Sequence, residues 1–211
     1  MKYQGMPQAM WAFLVKSFKN QLTLVFDYSK AEAAEIMKKS KVKYKEIIAE
    51  LPEFEKADQF KMNIVNAAMA GAVILNMPKR PEVEPLTEYY AKSVMIAPIK
   101  MFCKMSGKKR FTEANREKMK RTASLKAADR NPYSWNMEYF EYPDGSGYEA
   151  RFSKCGICVL MKKLGLYDLT PALCHLDYDM NDAGDTSVFV REYTLASGGD
   201  YCDCGYKKKQ L

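Results

Sequence analysis

The hydrophobic period of this chain changes once, near Asn131-Pro132, and that change limits the folds open to it. Before it, apolar residues recur at helical spacing, as in Met10, Trp11, Leu14, Val15, Phe18, Leu22 and Val25. After it, Ser134–Tyr142 alternates in the manner of an aromatic-rich strand. A fold must therefore join a run of helices to a sheet, and 211 residues leave room for one domain of ordinary size.

The helical part breaks into segments at its own signals. Residues 8–26 form the first helix. Ser29 followed by Glu32 makes a capping box for a second, which runs to Leu51 and stops before Pro52. A third helix, Lys56–Met77, is apolar on nearly every side in its second half and belongs at the centre of a bundle. The three prolines of 77–85 mark a connection. A fourth helix, Thr87–Met105, is expected to kink at Pro98. A short basic helix spans Thr112–Ala128.

Beyond the change of period, Pro143–Gly147 reads as a turn returning Tyr148–Phe152 antiparallel. Cys155–Leu164 is a helix closed by Gly165, and Thr170-Pro171 opens another, with Thr170 as cap, that ends at Gly184. Ser187–Leu195 and Tyr201–Lys207 are two further strands. The class is α+β: an N-terminal helical bundle followed by a four-stranded antiparallel sheet with two helices packed on it. Residues 1–130 make the helical region and 131–211 the α+β region, expected as one continuous globular unit.

Charge and composition narrow the function. The net charge of +7 divides into +11 before Asn136 and −4 from there on. The basic residues are scattered and interleaved with Glu, which describes solvated helix faces better than a nucleic-acid surface. The most apolar run, Met62–Met77, carries three asparagines and falls short of a membrane span, so no membrane partner is expected. With six cysteines and no signal-peptide pattern at the N-terminus, the thiols read as reduced and the protein as cytoplasmic. The apolar third helix leaves room for a homodimer.

Five of those cysteines lie between Lys154 and Gly205 with the only histidine, His175. Cys155 and Cys158 share a helix face, Cys174 and Asp177 share another, and Cys202 and Cys204 point to one side of a strand. If a metal is present, Cys155, Cys158, Cys174, Cys202 and Cys204 would hold zinc or an iron–sulfur cluster, although C-x2-C lacks its usual second half here. No cofactor is otherwise required. C-x2-C at a helix start also suits a redox pair, without the βαβ context of a thioredoxin. A nucleophilic thiol is the third reading: Cys155 or Cys158 at a helix start, or Cys174 near Asp177, meets the requirement. His175, next to Cys174 in sequence, points about 100° away from it around a helix and reads as an exposed residue without a role. Cys103 reads as core filler.

Cys158, then Leu173-Cys174 with Asp177-Tyr178, then Arg191-Glu192-Tyr193-Thr194-Leu195-Ala196 with a glycine pair, and finally Cys202-Asp203, resemble the L-2-amino-thiazoline-4-carboxylic acid hydrolase family. The resemblance covers Trp135–Lys208. An aromatic commonly stands in that pattern where this chain has Cys204, and His175 is outside it. The resemblance implies ring-opening hydrolysis of a small cyclic amidine or thiazoline, towards cysteine. It implies a catalytic set of Cys158, Cys174, Asp177, Cys202 and Asp203, with Cys158 or Cys174 as nucleophilic or positioning thiol and Asp177 or Asp203 as acid/base. Arg191, Thr194 and Lys207 would bind the substrate, Arg191 or Lys207 taking its carboxylate. The competing expectation is a non-enzymatic small-ligand or metal-binding sensor module.

Overall fold

In the computed structural model, which describes residues 5–55 and 58–209, the helices begin where local chemistry satisfies their first amides. α1 (Gln8–Val25) buries Leu14, Phe18 and Leu22, one per turn. α2 (Lys30–Glu50) has the full capping box: the Ser29 amide donates to the Glu32 carboxylate at 2.9 Å and the Glu32 amide to Ser29 Oγ at 3.2 Å. α3 (Lys61–Ile74) is buried all round from Ala67 to Ile74, as its lack of a polar face demands. Its expected start at Lys56 lies outside the described residues. At Asp58 the side chain accepts the Phe60 amide at 2.8 Å, an Asx turn that holds the chain out of helix until Lys61. At the other end residues 75–77 wind into tight turns, so the helix stops short of Met77.

The expected fourth helix is two helices. α4 (Val83–Val94) begins inside the proline-rich connection, with Pro85 in its first turn, where no backbone donor is missed. α5 (Ala97–Lys109) is a new helix with Pro98 in its first turn. Proline there starts a helix, so a break at Met95–Ile96 replaces the expected kink. α6 (Glu113–Ala127) is capped by Thr112, whose Oγ accepts the Asn115 amide at 3.3 Å.

The sheet is antiparallel throughout and ordered β1-β2-β4-β3, from β1 (Glu138–Glu141), β2 (Gly147–Phe152), β3 (Ser187–Val190) and β4 (Cys202–Lys208). β1 and β3 are shorter than their alternating patterns suggested, because the chain leaves the ladder at Trp135–Met137 and after Val190. The register sets Ala150 opposite Cys204 and Phe152 opposite Cys202. One face carries Tyr139, Ala150, Phe189, Cys204 and Tyr206. It packs against Met119 and Ala123 of α6 and Tyr178 of α9 (Leu176–Gly184). α7 (Gly156–Lys163) instead packs on α3, and α8 (Thr170–Cys174) on α4. Thr170 is not the cap of α8: Leu169 holds that place, and the Thr170 hydroxyl is buried without a partner among the described residues.

One apolar core runs through the helical half and takes in Trp135, Cys155, Leu160, Met161 and Leu173. The Lys126 ammonium, almost buried at the end of α6, ties this core to the sheet. It donates to Asp58 and Asp129, each at 2.7 Å, and to Ser134 Oγ at 2.8 Å. Among the described residues no helix is long and apolar enough to cross a membrane.

Candidate active site

After Val190 the chain leaves the sheet, and its path is fixed by side chains of the neighbouring strand. Asp203 on β4 accepts the amides of Glu192 at 2.8 Å and Tyr193 at 2.6 Å, so both its oxygens replace ladder bonds that β3 no longer makes. Two residues on, the Leu195 amide donates to Cys202 Sγ at 3.2 Å. Thr194 caps the short turn that follows, accepting the Ser197 amide at 3.1 Å, and Tyr167 donates to the Leu195 carbonyl at 2.8 Å. Residues 191–198 are thereby held as a defined arch over α8 and α9.

Arg191 starts that arch and turns back under it, with a side chain only 6% exposed. Its guanidinium donates to the Cys174 carbonyl at 3.0 Å, to the Asp177 carboxylate, and to Cys204 Sγ at 3.0 Å. Its ring neighbours are Phe189 at 4.7 Å and Tyr178 at 5.8 Å. The Nε donor is buried without a partner among the described residues. Between the arch and the helices lies a cavity of about 180 Å³, bordered by Cys174, His175, Tyr178, Arg191, Glu192 and Thr194.

Behind the cavity four thiols gather within electrostatic reach of one another: Cys155, Cys158, Cys174 and Cys202. Cys155 is the N-cap of α7 and its pKa falls below the ordinary thiol value. The Cys158 thiol directed at it is the main cause, aided by the Cys158 and Ile157 amides and the Trp135 indole, with burial opposing. Neither amide reaches capping geometry, so the helix terminus acts on Cys155 as a field. Cys158 is pushed up, first by its contact with Cys155 and then by burial. Burial also raises Cys174, with the charges of Cys155 and Asp177 adding to it and Arg191 opposing. Cys202 rises through burial, and Cys204 is pushed up to about 12 by burial and Asp177. Within the cluster Cys155 alone is shifted towards its thiolate, and the other three are shifted towards the neutral thiol.

A family model for L-2-amino-thiazoline-4-carboxylic acid hydrolase matches residues 62–206, more than two thirds of the chain. The chain belongs to this family. For a member of the L-2-amino-thiazoline-4-carboxylic acid hydrolase family the match reaches well beyond Trp135–Lys208, into α3–α6. The structure gives the helical half a direct part at the site: Tyr90 of α4 lies within electrostatic reach of Asp177 and Cys174, and burial first, then those two charges, push its hydroxyl above the ordinary tyrosine value. Neither the characterised proteins nor the solved structures searched give a significant match.

Of the residues singled out from the sequence, Cys174, Arg191 and Thr194 border the cavity, Asp177 holds Arg191, and Cys158 and Cys202 lie in the thiol cluster. Lys207 is not brought to them. Counting along β4 puts it on the opposite face from Cys204, where its ammonium sits 5.3 Å from the Tyr142 ring. Strand parity alone carries that information. Nor do the five cysteines form a cage: among the described residues no three His, Cys, Asp or Glu are arranged to hold a metal ion. Cys204 faces Arg191 and the helix-covered side of the sheet, apart from the Cys155–Cys158 pair. His175, read from the sequence as without a role, is at the cavity's mouth, its Nδ1 3.5 Å from Asp179 Oδ2 and its ring 5.1 Å from that of Tyr178. It arrives there because α8 ends at Cys174 and α9 begins at Leu176, a break invisible in the helical spacing of 170–184.

Proposed function

We propose that the chain hydrolyses a small ring of the cyclic amidine or thiazoline type that carries a carboxylate, such as 2-aminothiazoline-4-carboxylate, in the cavity beneath the 191–198 arch. One observation carries this reading: two family motifs distant in sequence, Leu173-Cys174 and Arg191–Thr194, border the same small cavity. Its volume of about 180 Å³ is below the several hundred usual for drug-sized ligands, which suits a substrate of a single ring.

In the reaction the oxygen of water bonds to C2 of the ring, the C2–S bond breaks, and the proton released by water ends on sulfur. Arg191, whose side chain borders the cavity, is the cation for the substrate carboxylate. Asp177 holds the guanidinium with one oxygen; its side chain is 45% exposed, which leaves the other oxygen open to water as the base. Asp203, with both oxygens bound to amides, positions the arch. Cys174 and Cys158, held as neutral thiols, are donors that orient the substrate and protonate its leaving sulfur. Thr194 offers its hydroxyl from the arch.

A binding-only role, as a small-ligand sensor, draws support from the same neutral thiols and from Arg191 being already paired with Asp177: such a site holds a ligand without needing to turn it over. Incubation with L-2-aminothiazoline-4-carboxylate separates the two. Hydrolysis predicts a product heavier by one water and a new thiol that reacts with Ellman's reagent, with turnover lost in Cys174→Ala and in Asp177→Asn. Tight binding with no product favours the sensor, and turnover unchanged in both variants overturns these residue assignments.

A further inference from the structure

The hydrolytic reading leaves Cys155 unused, although it is the most acidic thiol of the cluster. Cys155 is at the N-cap of α7, 8% exposed, and Cys158 is the third residue of that helix. Residues three apart across a helix start bring their side chains together, and here the Cys158 thiol is turned onto the Cys155 sulfur. Both are free thiols. Cys174 and Cys202 reach Cys155 only through their fields. The pair is therefore local to one helix end, and no other element has to move for its two sulfurs to meet. Gly156, between them, lets the Tyr133 carbonyl press on the helix terminus, since any side chain there would strike it.

We propose that Cys155 and Cys158 form a peroxide-reactive dithiol that closes to an intrahelical disulfide. The Cys155 thiolate attacks one oxygen of a hydroperoxide and the O–O bond breaks. The departing oxygen takes a proton and leaves as water or an alcohol, while Cys155 becomes a sulfenic acid. The Cys158 sulfur then gives up its proton and attacks the Cys155 sulfur. The S–O bond breaks, that proton joins the departing hydroxide, and water leaves as the S–S bond forms. Two electrons pass from the pair to the peroxide. The oxidant must be small, because Cys155 is buried and only Cys158 is partly open to solvent.

The test treats the full reduced chain with hydrogen peroxide, blocks remaining thiols with iodoacetamide, and cleaves with trypsin. Cleavage after Lys154 and Lys162 places both cysteines in one peptide, 155–162. The expected peptide is unalkylated, lighter than the reduced one by two hydrogens, and restored by dithiothreitol. In Cys158→Ser, Cys155 should accumulate as a sulfenic acid that dimedone traps, and this half-buried site tolerates serine better than Cys155 does. A peptide that stays fully alkylated overturns the proposal. So does a Cys155 linked to Cys174 or Cys202, or a Cys158→Ser protein whose Cys155 does not label.

Discussion

Two of the buried cationic side chains, Lys126 and Arg191, are held differently. Lys126 has three ammonium protons and three acceptors, Asp58, Asp129 and Ser134, each within 2.8 Å. Nothing is left over. Arg191 is engaged by the Cys174 carbonyl, Asp177 and Cys204, yet keeps one buried donor without a partner and borders a cavity. An unmet buried donor carries a desolvation penalty of about 1–3 kcal/mol. The contrast separates a cation that fastens α6 to the loop at Asp58 and the start of the sheet from one that borders a cavity.

Replacing the two cations should break the molecule in different ways. Lys126→Met strands two carboxylates that are 5% and 17% exposed, and should cost about 3–5 kcal/mol in denaturant unfolding. Ligand affinity measured on the fraction still folded should be unchanged; an affinity loss as large as that of an Arg191 variant would erase the distinction. Arg191→Lys keeps the charge but loses the planar fork. Asp177 is 45% exposed and can turn to water, so the stability cost should stay below that of Lys126→Met. Turnover of the thiazoline should fall by about 10²–10³-fold, the loss usual for a preorganised donor aimed at the reacting group. If Arg191→Lys proved the less stable variant and kept full turnover, the guanidinium would be a second structural tie.

The same contrast explains what could be read from the sequence. Local features were visible because their chemistry is local: the Ser29–Glu32 capping box, the Thr112 cap, the all-round burial of α3, and the alternation that put Cys202 and Cys204 on one side of β4. A proline in the first turn of a new helix and one inside a kinked helix look alike in sequence, which is why Pro98 starts α5 where the spacing predicts a kink. Cys174, Asp177 and Arg191 were marked by their motifs, but their meeting depends on the β3–β4 register. Val190 pairs with Gly205, which sets the next residue, Arg191, beside Cys204. Cys155 owes its acidity partly to the Trp135 indole, twenty residues away, so spacing alone does not favour it over Cys158. Lys207, by contrast, is placed on the other face by the alternation of β4 alone.

A milder test concerns the helices that carry α9 to the site. α5 crosses α9 at Gly107 and Gly184, and a Cβ on Gly107 would lie 2.5 Å from the Gly184 carbonyl oxygen. Gly107→Ala should therefore force the helices apart and cost about 1–3 kcal/mol, the range for overpacking a close contact. Because α9 begins one residue after His175, turnover should fall with it. Unaltered stability in thermal unfolding would mean the crossing is looser than drawn.

The smallest effect expected is a pH dependence of the Lys126 tie. Burial alone would raise Asp129, but its bonds from Lys126, the Asn131 amide and Ser134 outweigh this and hold it below its ordinary 3.8. A carboxylate depressed on folding adds stability above its unfolded value, and that contribution is lost as pH falls through the folded value. Lys126 shows the reverse. Burial opposes its charge, yet Asp129 and Asp58 lift it above its ordinary 10.5. Its contribution is complete below 10.5 and fades as pH rises through the folded value. The stability difference between the wild type and Lys126→Met should accordingly be flat from about pH 5 to pH 9 and shrink towards both extremes. Arg191→Lys should show no such shrinkage at alkaline pH, since the group it replaces stays charged throughout. Urea titrations of the three proteins across that range would decide it, and a Lys126→Met deficit that varied steeply near neutrality would show that some other group titrates with the tie.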